Sequence, residues 1–229
     1  MWEKLALWWL EELADDPTYE EEIAPLALDL LEADRGLLYL DVGCGNGRLM
    51  AKLSEQCRVV GCDLSLELLS QAQKFGPVFR SRLPTLDCLR SGVFAGAVIS
   101  LVLEHLPDEC LLQQLRRIVR PGGRLAVVVN HPIWTAPESS PMADPSGEML
   151  WRPGRYFGRG FSDEPAGTQT VRFYHRTMAD LLNSAAGAGW DLERVEERGV
   201  SQAQVARFPE YEGQENIPRL LGLRWRRRT

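Results

Sequence analysis

Residues 37–47, Leu37-Leu38-Tyr39-Leu40-Asp41-Val42-Gly43-Cys44-Gly45-Asn46-Gly47, run apolar into an acid and then place three glycines at alternate positions. A second apolar run, Val59-Val60-Gly61-Cys62, ends in Asp63. The order is strand, glycine turn, helix, strand, acid, which is half of a nucleotide-binding sheet. Asp63 stands 20 residues beyond Gly43, where such sheets place the carboxylate that grips a ribose.

Outward from this stretch the alternation continues. Before it, Trp2, Leu5, Trp9 and Leu13 recur at helical spacing over 2–14, and a second helix fits 19–33, stopped by Arg35-Gly36. After it come a helix over 48–56, a strand over 58–62, and a helix over 66–74 with Ser65 as its N-cap. A short third strand fits 78–80 and a fourth fits 94–100. Pro107 opens a helix through Val119, Pro121-Gly122-Gly123 breaks it, and a continuous apolar fifth strand covers 124–129. The pattern resumes with a helix over 177–187 and strands over 190–197 and 217–226. Strands alternating with helices predict an α/β fold around a doubly wound parallel sheet.

Residues 131–170 interrupt the pattern. They hold six prolines and five glycines, yet also Trp134, Trp151, Tyr156, Phe157 and Phe161. A long irregular stretch rich in aromatics reads as a lid, because disordered segments are poor in them.

With 229 residues, 45% of them hydrophobic, the chain can bury a large core. Its net charge of −6 makes it a poor general binder of nucleic acid. The charge is uneven: residues 1–35 carry eleven acids and two bases, whereas Arg219, Arg224, Arg226, Arg227 and Arg228 crowd the last eleven positions without an acid. No run approaches a membrane span. The acidic start does not resemble a secretory or transit signal, so a cytoplasmic protein is expected. Five cysteines without a Cys-x-x-Cys pair read as reduced thiols, and no metal site is expected.

The spacing of the loop narrows the cofactor. A dinucleotide site calls for Gly-x-Gly-x-x-Gly, but here the third glycine comes one residue early. Asp41, two residues before the loop, would repel a pyrophosphate and suits a cationic amino group. S-adenosylmethionine (SAM) carries an ammonium and a sulfonium and no phosphate. Asp41 beside the ammonium, the Gly43-Cys44-Gly45 backbone beneath the methionine, and Asp63 on the ribose hydroxyls make one consistent site.

At this point the chain resembles the class I SAM-dependent methyltransferases. Residues 40–47 are similar to their first motif and 60–65 to their second-strand motif. Residues 94–100 followed by Leu103-Glu104-His105-Leu106 are similar to their fourth strand and its turn, and 117–125 to their entry into the fifth strand. Asn130-His131-Pro132-Ile133, Tyr174-His175-Arg176-Thr177 and Ala188-Gly189-Trp190 resemble a subgroup of small bacterial methyltransferases. The resemblance implies a Rossmann-like, seven-stranded, mostly parallel sheet with helices on both faces and an irregular lid inserted after the fifth strand. It implies one methyltransferase domain over 1–229: N-terminal helices in 1–36, a cofactor core in 37–130, the lid in 131–176, and a last helix and two strands in 177–229. It further implies contacts to the cofactor from Leu64, Ser100, Leu101 and His105, and an adenine position near Ser81, Arg82 and Leu83. The family's usual acid after the third strand is missing here, and Ala95 stands where an aspartate is common.

Such an enzyme transfers a methyl group to nitrogen or oxygen of a small-molecule acceptor; RNA methylation or SAM binding without catalysis are the alternatives. His131, at the end of the fifth strand, and His175, at a helix start, are the candidate bases. The plainer reading of each is an orienting hydrogen bond. Trp134, Tyr156 and Tyr174 are the candidate substrate contacts, or else a satellite core beneath the lid. Cys44 and Cys62 read as buried fillers, and the terminal arginines as a solvated strand end.

Overall fold

The computed structural model describes residues 2–12, 17–107 and 110–229. The chain enters with α1 (Trp2–Glu12). A single π-helical turn, Tyr19–Ile23, runs into α2 (Ala24–Leu31), which stops where Glu32 turns left-handed at φ 45°. The expected extension of the first helix to residue 14, with Leu13 on its face, lies outside the described residues. Then follow β1 (Leu38–Val42), α3 (Arg48–Ser54), β2 (Arg58–Asp63), α4 (Leu66–Ala72), β3 (Val78–Arg80), β4 (Phe94–Ser100), α5 (Cys110–Ile118) and β5 (Val119–Asn130). Ser65 caps α4 as expected, its hydroxyl accepting the Leu68 N–H at 3.3 Å.

The Pro-Gly-Gly break does not separate α5 from its strand. β5 begins at Val119, and its register with β4 jumps between Phe94↔Val119 and Gly96↔Arg124, so residues 120–123 bulge out of the ladder.

The larger correction concerns the lid, which is not irregular. After the short α6 (Pro132–Thr135), β6 (Ser140–Ala143) pairs with β7 (Met149–Arg152), and β8 (Gly160–Ala166) pairs with β9 (Gln169–His175), both antiparallel. The chain closes with α7 (Met178–Gly187), β10 (Trp190–Arg198), α8 (Gln202–Arg207) and β11 (Leu220–Arg227). Thr177 and Asp180 form a reciprocal capping box on α7.

The main sheet runs β3-β2-β1-β4-β5-β11-β10, and β11 alone is antiparallel to its neighbours. Successive strand residues face opposite sides. Leu40, Val42, Ile99 and Val127 pack with Leu111, Leu115 and Ile118 of α5 and with Leu181 of α7. Tyr39, Val59 and Val98 pack with Leu26 and Leu30 of α2 and with Leu49 and Leu53 of α3. Each such leucine removed from water contributes about 1.5–3 kcal/mol. A third, small cluster joins Leu5 of α1 to Ala166 and Val171 of the β8–β9 hairpin, with Trp8 and Phe173 against it.

The uneven charge resolves within the chain. Glu32 pairs with Arg224 at 2.7 Å and Arg124 at 3.4 Å, Asp29 with Arg194 at 2.9 Å, and Glu21 with Arg207 at 3.2 Å. Arg226 meets Glu193, Arg227 the Val119 carbonyl and Arg228 Asp191. No helix among the described residues is long and apolar enough to cross a membrane.

Candidate active site

The strand order reverses between β1 and β4, and open α/β sheets bind ligands at the carboxyl ends of strands flanking such a reversal. A cavity of about 400 Å³ occupies that crevice. The turn after β1 makes its floor. Gly43 sits at φ +72°, its N–H donates to the Cys62 carbonyl at 2.8 Å, and a Cβ there would fall 2.4 Å from Val102. Gly45, at φ +54°, has nothing within 4 Å of the place a Cβ would take. Its backbone therefore lies bare to the cavity, as close approach to a ligand requires.

Asp63, ending β2, is held by two backbone donors. Gly45 N–H reaches Oδ2 at 3.0 Å and Ser65 N–H reaches Oδ1 at 2.9 Å. Burial raises its pKa above the ordinary carboxylate range, and these two donors oppose the rise. Each oxygen keeps a lone pair for a further donor.

Asp41, ending β1, has the opposite problem. It is 2% exposed, and among the described residues its Oδ2 has no hydrogen-bond partner. Burial, reinforced by the charge of Asp63, lifts its pKa to about 7. The buried hydroxyl of Ser100, in the cavity wall, lies beside the Tyr19 hydroxyl. A buried carboxylate oxygen without a partner is uncommon and costly, and it suits a ligand's donor. Tyr19 closes this side. Burial, and then the nearby Asp41 carboxylate, push its phenol well above the ordinary range. The Arg48 guanidinium lies 4.7 Å from the Tyr19 ring centre and binds Glu20 at 2.9 Å.

Beyond β3 and β4 the wall passes through Ser81, Arg82 and Leu83 and through Leu101 and His105. The Ser81 hydroxyl donates to the Thr85 carbonyl, so its oxygen is left to accept. The His105 ring donates from Nδ1 to the Arg172 carbonyl at 3.0 Å and leans on Phe173, which ties this wall to the β8–β9 hairpin.

A family model for a methyltransferase domain matches residues 40–127, the stretch that builds this cavity. A SAM-dependent methyltransferase from Mesorhizobium loti has the same fold at a TM-score of 0.80 and 29% identity, covering 94% of this chain and 100% of that one. Residues 40–127 thus match a methyltransferase domain, and the chain over nearly its whole length is similar to a SAM-dependent methyltransferase. Among curated relatives, the trans-aconitate 2-methyltransferase of Azoarcus sp. is 35% identical over 49% of this chain and 49% of its own length. The N-demethylindolmycin N-methyltransferase of Streptomyces griseus is 24% identical over 84% of this chain and 86% of its own. The chain thus spans about half the length of the first of these two.

In this methyltransferase the fold brings Gly43, Cys44, Gly45, Asp63, Leu64, Ser81, Arg82, Leu83, Ser100, Leu101 and His105 to one wall, with Asp41 beneath it. Cys44 and Cys62 are buried as protonated thiols. Burial drives Cys44 far upward and Cys62 up to about 12. Tyr19, Asn46, Arg48 and Val102 also line the cavity and were not anticipated. Asn46 could have been found within the glycine turn; Tyr19 and Arg48 carry no local signal.

The expected bases and substrate contacts stand elsewhere. His131 has both nitrogens occupied: Nδ1 accepts the Ile133 N–H at 3.2 Å and Nε2 donates to Glu197 at 2.8 Å. Burial lowers its pKa, against the pull of Glu197. It orients the start of α6 and has no lone pair left to act as a base. His175 donates from Nε2 to the Tyr156 carbonyl at 2.7 Å, which leaves Nδ1 buried and unpartnered among the described residues. Trp134 stacks on Trp151 at 4.3 Å, the Tyr156 hydroxyl accepts the Met178 N–H at 3.1 Å, and Tyr174 meets Phe161 edge-on. These aromatics hold the hairpins together rather than lining the cavity.

Proposed function

We propose that this methyltransferase modifies a nitrogen or oxygen of a small-molecule acceptor held beneath its hairpins, with residues 1–229 acting as one catalytic unit. The observation that carries this reading is that α1 and the β8–β9 hairpin are anchored beside the crevice, one on each flank. On one flank Glu3 of α1 accepts the Leu66 N–H at 3.1 Å. On the other, Arg176 donates to the carbonyls of Leu103 and Leu106, and His105 holds Arg172. Leu5 and Val171 join the two flanks. A crevice of about 400 Å³ flanked on both sides suits a small acceptor. The relatives named for trans-aconitate and N-demethylindolmycin support the same class. The terminal arginines, each engaged within the chain, offer RNA little.

The residues present fit SAM. The unpaired Asp41 oxygen and the Ser100 hydroxyl suit an ammonium, the bare Gly45 backbone admits the methionine chain, and Asp63 keeps lone pairs for ribose hydroxyls. Ser81, as acceptor, suits the adenine amino group and stands in for the missing acid. When bound, the sulfonium supplies an electrophilic methyl group. The protein aligns the acceptor's lone pair with it and excludes water, and proximity of this kind is worth up to roughly 7–11 kcal/mol.

Tritium transfer from labelled SAM into pooled amines, alcohols and carboxylic acids, with bulk tRNA in parallel, tests the reading. Label in a small molecule is expected. Label in tRNA alone would overturn it.

A further inference from the structure

The hairpins present a feature that the crevice chemistry leaves unused. In β7 the side chains alternate. Trp151 turns inward, stacked on Trp134 and donating from Nε1 to the Ile133 carbonyl at 3.0 Å. Leu150 and Arg152 therefore share the opposite, exposed face, and Met142 of β6 stands across the ribbon from Leu150. Next comes the turn that leads into β8, and its backbone is fixed. Arg155 N–H donates to the Pro137 carbonyl at 2.8 Å, and a Cβ on Gly154 would fall 2.4 Å from the same oxygen. Tyr156 points into the fold, where its hydroxyl accepts the Met178 N–H and its carbonyl accepts the N–H of His175 Nε2. Phe157, the next residue, is 91% exposed, and its ring meets Tyr156 edge-on at 5.2 Å. Arg152, Arg155 and Arg159 flank it in the chain, and residues 149–162 contain no acid. Arg155 touches Glu138 at 3.0 Å and Arg159 touches Asp180 at 3.3 Å, but the two arginine side chains stay 66% and 87% exposed, and exposed pairs hold weakly.

A phenyl ring fixed in water is unfavourable, and exposed apolar groups rimmed by charge mark contact surfaces. The three arginines set the sign of the partner: it is anionic, although the chain as a whole has a net charge of −6. A second copy of this chain would bring the same arginines against one another. A nucleic acid would stack bases on Phe157, but Leu150 and Met142, 42% and 50% exposed, are not stacking platforms. A bilayer engages all of these groups, because aromatic and aliphatic side chains enter at headgroup level while arginines meet lipid phosphates. We propose that residues 149–162, together with Met142, dock on an anionic lipid bilayer, with Phe157 entering between the headgroups and Arg152, Arg155 and Arg159 meeting their phosphates. The contact is peripheral, since it is made by hairpins and no helix among the described residues is long and apolar enough to cross a membrane. One strand joins this surface to the crevice: His175 of β9 holds the Tyr156 carbonyl, and His105 of the cavity wall holds the Arg172 carbonyl of the same strand.

Co-sedimentation of the full chain with vesicles of phosphatidylcholine, pure or enriched in phosphatidylglycerol, tests the proposal. Phe157→Ser and the triple variant Arg152→Gln, Arg155→Gln, Arg159→Gln change only exposed side chains, so melting temperature and S-adenosylhomocysteine affinity should stay at the parent's values. The parent should bind the phosphatidylglycerol vesicles about tenfold or more tightly than pure phosphatidylcholine, and should lose most of that binding in molar salt. The triple variant should bind them on the order of a hundredfold less tightly, and Phe157→Ser about fivefold less. No binding to the phosphatidylglycerol vesicles, equal binding to both kinds of vesicle, or undiminished binding in either variant would overturn the proposal. Two other outcomes without vesicle binding would overturn it as well. A dimer in sedimentation velocity that Phe157→Ser abolishes would give the surface to a second copy of the chain, and tRNA binding that the triple variant loses would give it to nucleic acid.

Discussion

Asp41 shows how one carboxylate can be a defect in the empty fold and an asset in the loaded one. Its pKa of about 7, against an ordinary value of 3.8, means that the folded chain holds a proton the unfolded chain has released. That contribution to stability is whole below pH 4, declines from there, and is gone above pH 7; the full difference is of order 4 kcal/mol. Asp41→Asn should therefore raise the melting temperature of the ligand-free protein at pH 8 and leave it nearly unchanged at pH 4, as calorimetric scans would read. The parent's affinity for S-adenosylhomocysteine should rise between pH 6 and 8 as Asp41 ionises to meet the ammonium, and Asp41→Asn should flatten that rise. The glycine turn gives a second contrast. A methyl group at Gly43 strikes Val102, so Gly43→Ala should lower stability by about 1–3 kcal/mol beyond the cost of its left-handed backbone. Gly45→Ala meets no protein atom and should cost only the left-handed backbone, about 1–2 kcal/mol, yet its methyl group points into the cavity and should abolish cofactor binding. Denaturant melts and titrations of the two variants separate these effects. The placement of Asp41, Asp63 and the glycines at the crevice was legible because it follows from fixed spacing along one strand-turn-helix unit. Tyr19, Arg48, and the partners that occupy His131 were not, because Glu197 and the π-helical turn reach them only through tertiary packing.

At the scale of elements, the hairpin β8–β9 and the helix α1 flank the crevice and are joined by a small cluster around Leu5. Small clusters open at lower free energy than the main core. Leu5→Ala should leave hydrogen exchange in β1, β4 and β5 unchanged and accelerate it in residues 160–175. Release of S-adenosylhomocysteine should quicken several-fold; equal exchange throughout would show that α1 does not hold the hairpin down. β1, β2, β4 and β5 could be read in advance because strands covered on both faces are apolar throughout. The hairpins could not. β6, β7 and β8 are largely exposed, so no alternation marks them, and Pro141 and Pro165 sit in two-stranded ribbons where a missing N–H is tolerated. The same composition that signals a loop in a compact sheet is compatible with a free ribbon.

Across the whole molecule, sheet order, charge and cavity agree. The acids of the N-terminal segment face arginines of β5, α8, β10 and β11, so the acidic and basic ends neutralise each other within the fold. Such exposed pairs contribute roughly 0–1 kcal/mol each, and they orient α2 more than they stabilise it. The crevice at the reversal of strand order has two carboxylates in or beneath its wall. Two carboxylates there select a cationic, phosphate-free cofactor over a dinucleotide. Titration calorimetry with S-adenosylhomocysteine, and with NAD as the control, tests that claim most directly. One site with a dissociation constant on the order of micromolar for S-adenosylhomocysteine, and no heat with NAD, is the predicted result. Binding of NAD, or silence with S-adenosylhomocysteine at both pH 6 and pH 8, would contradict it.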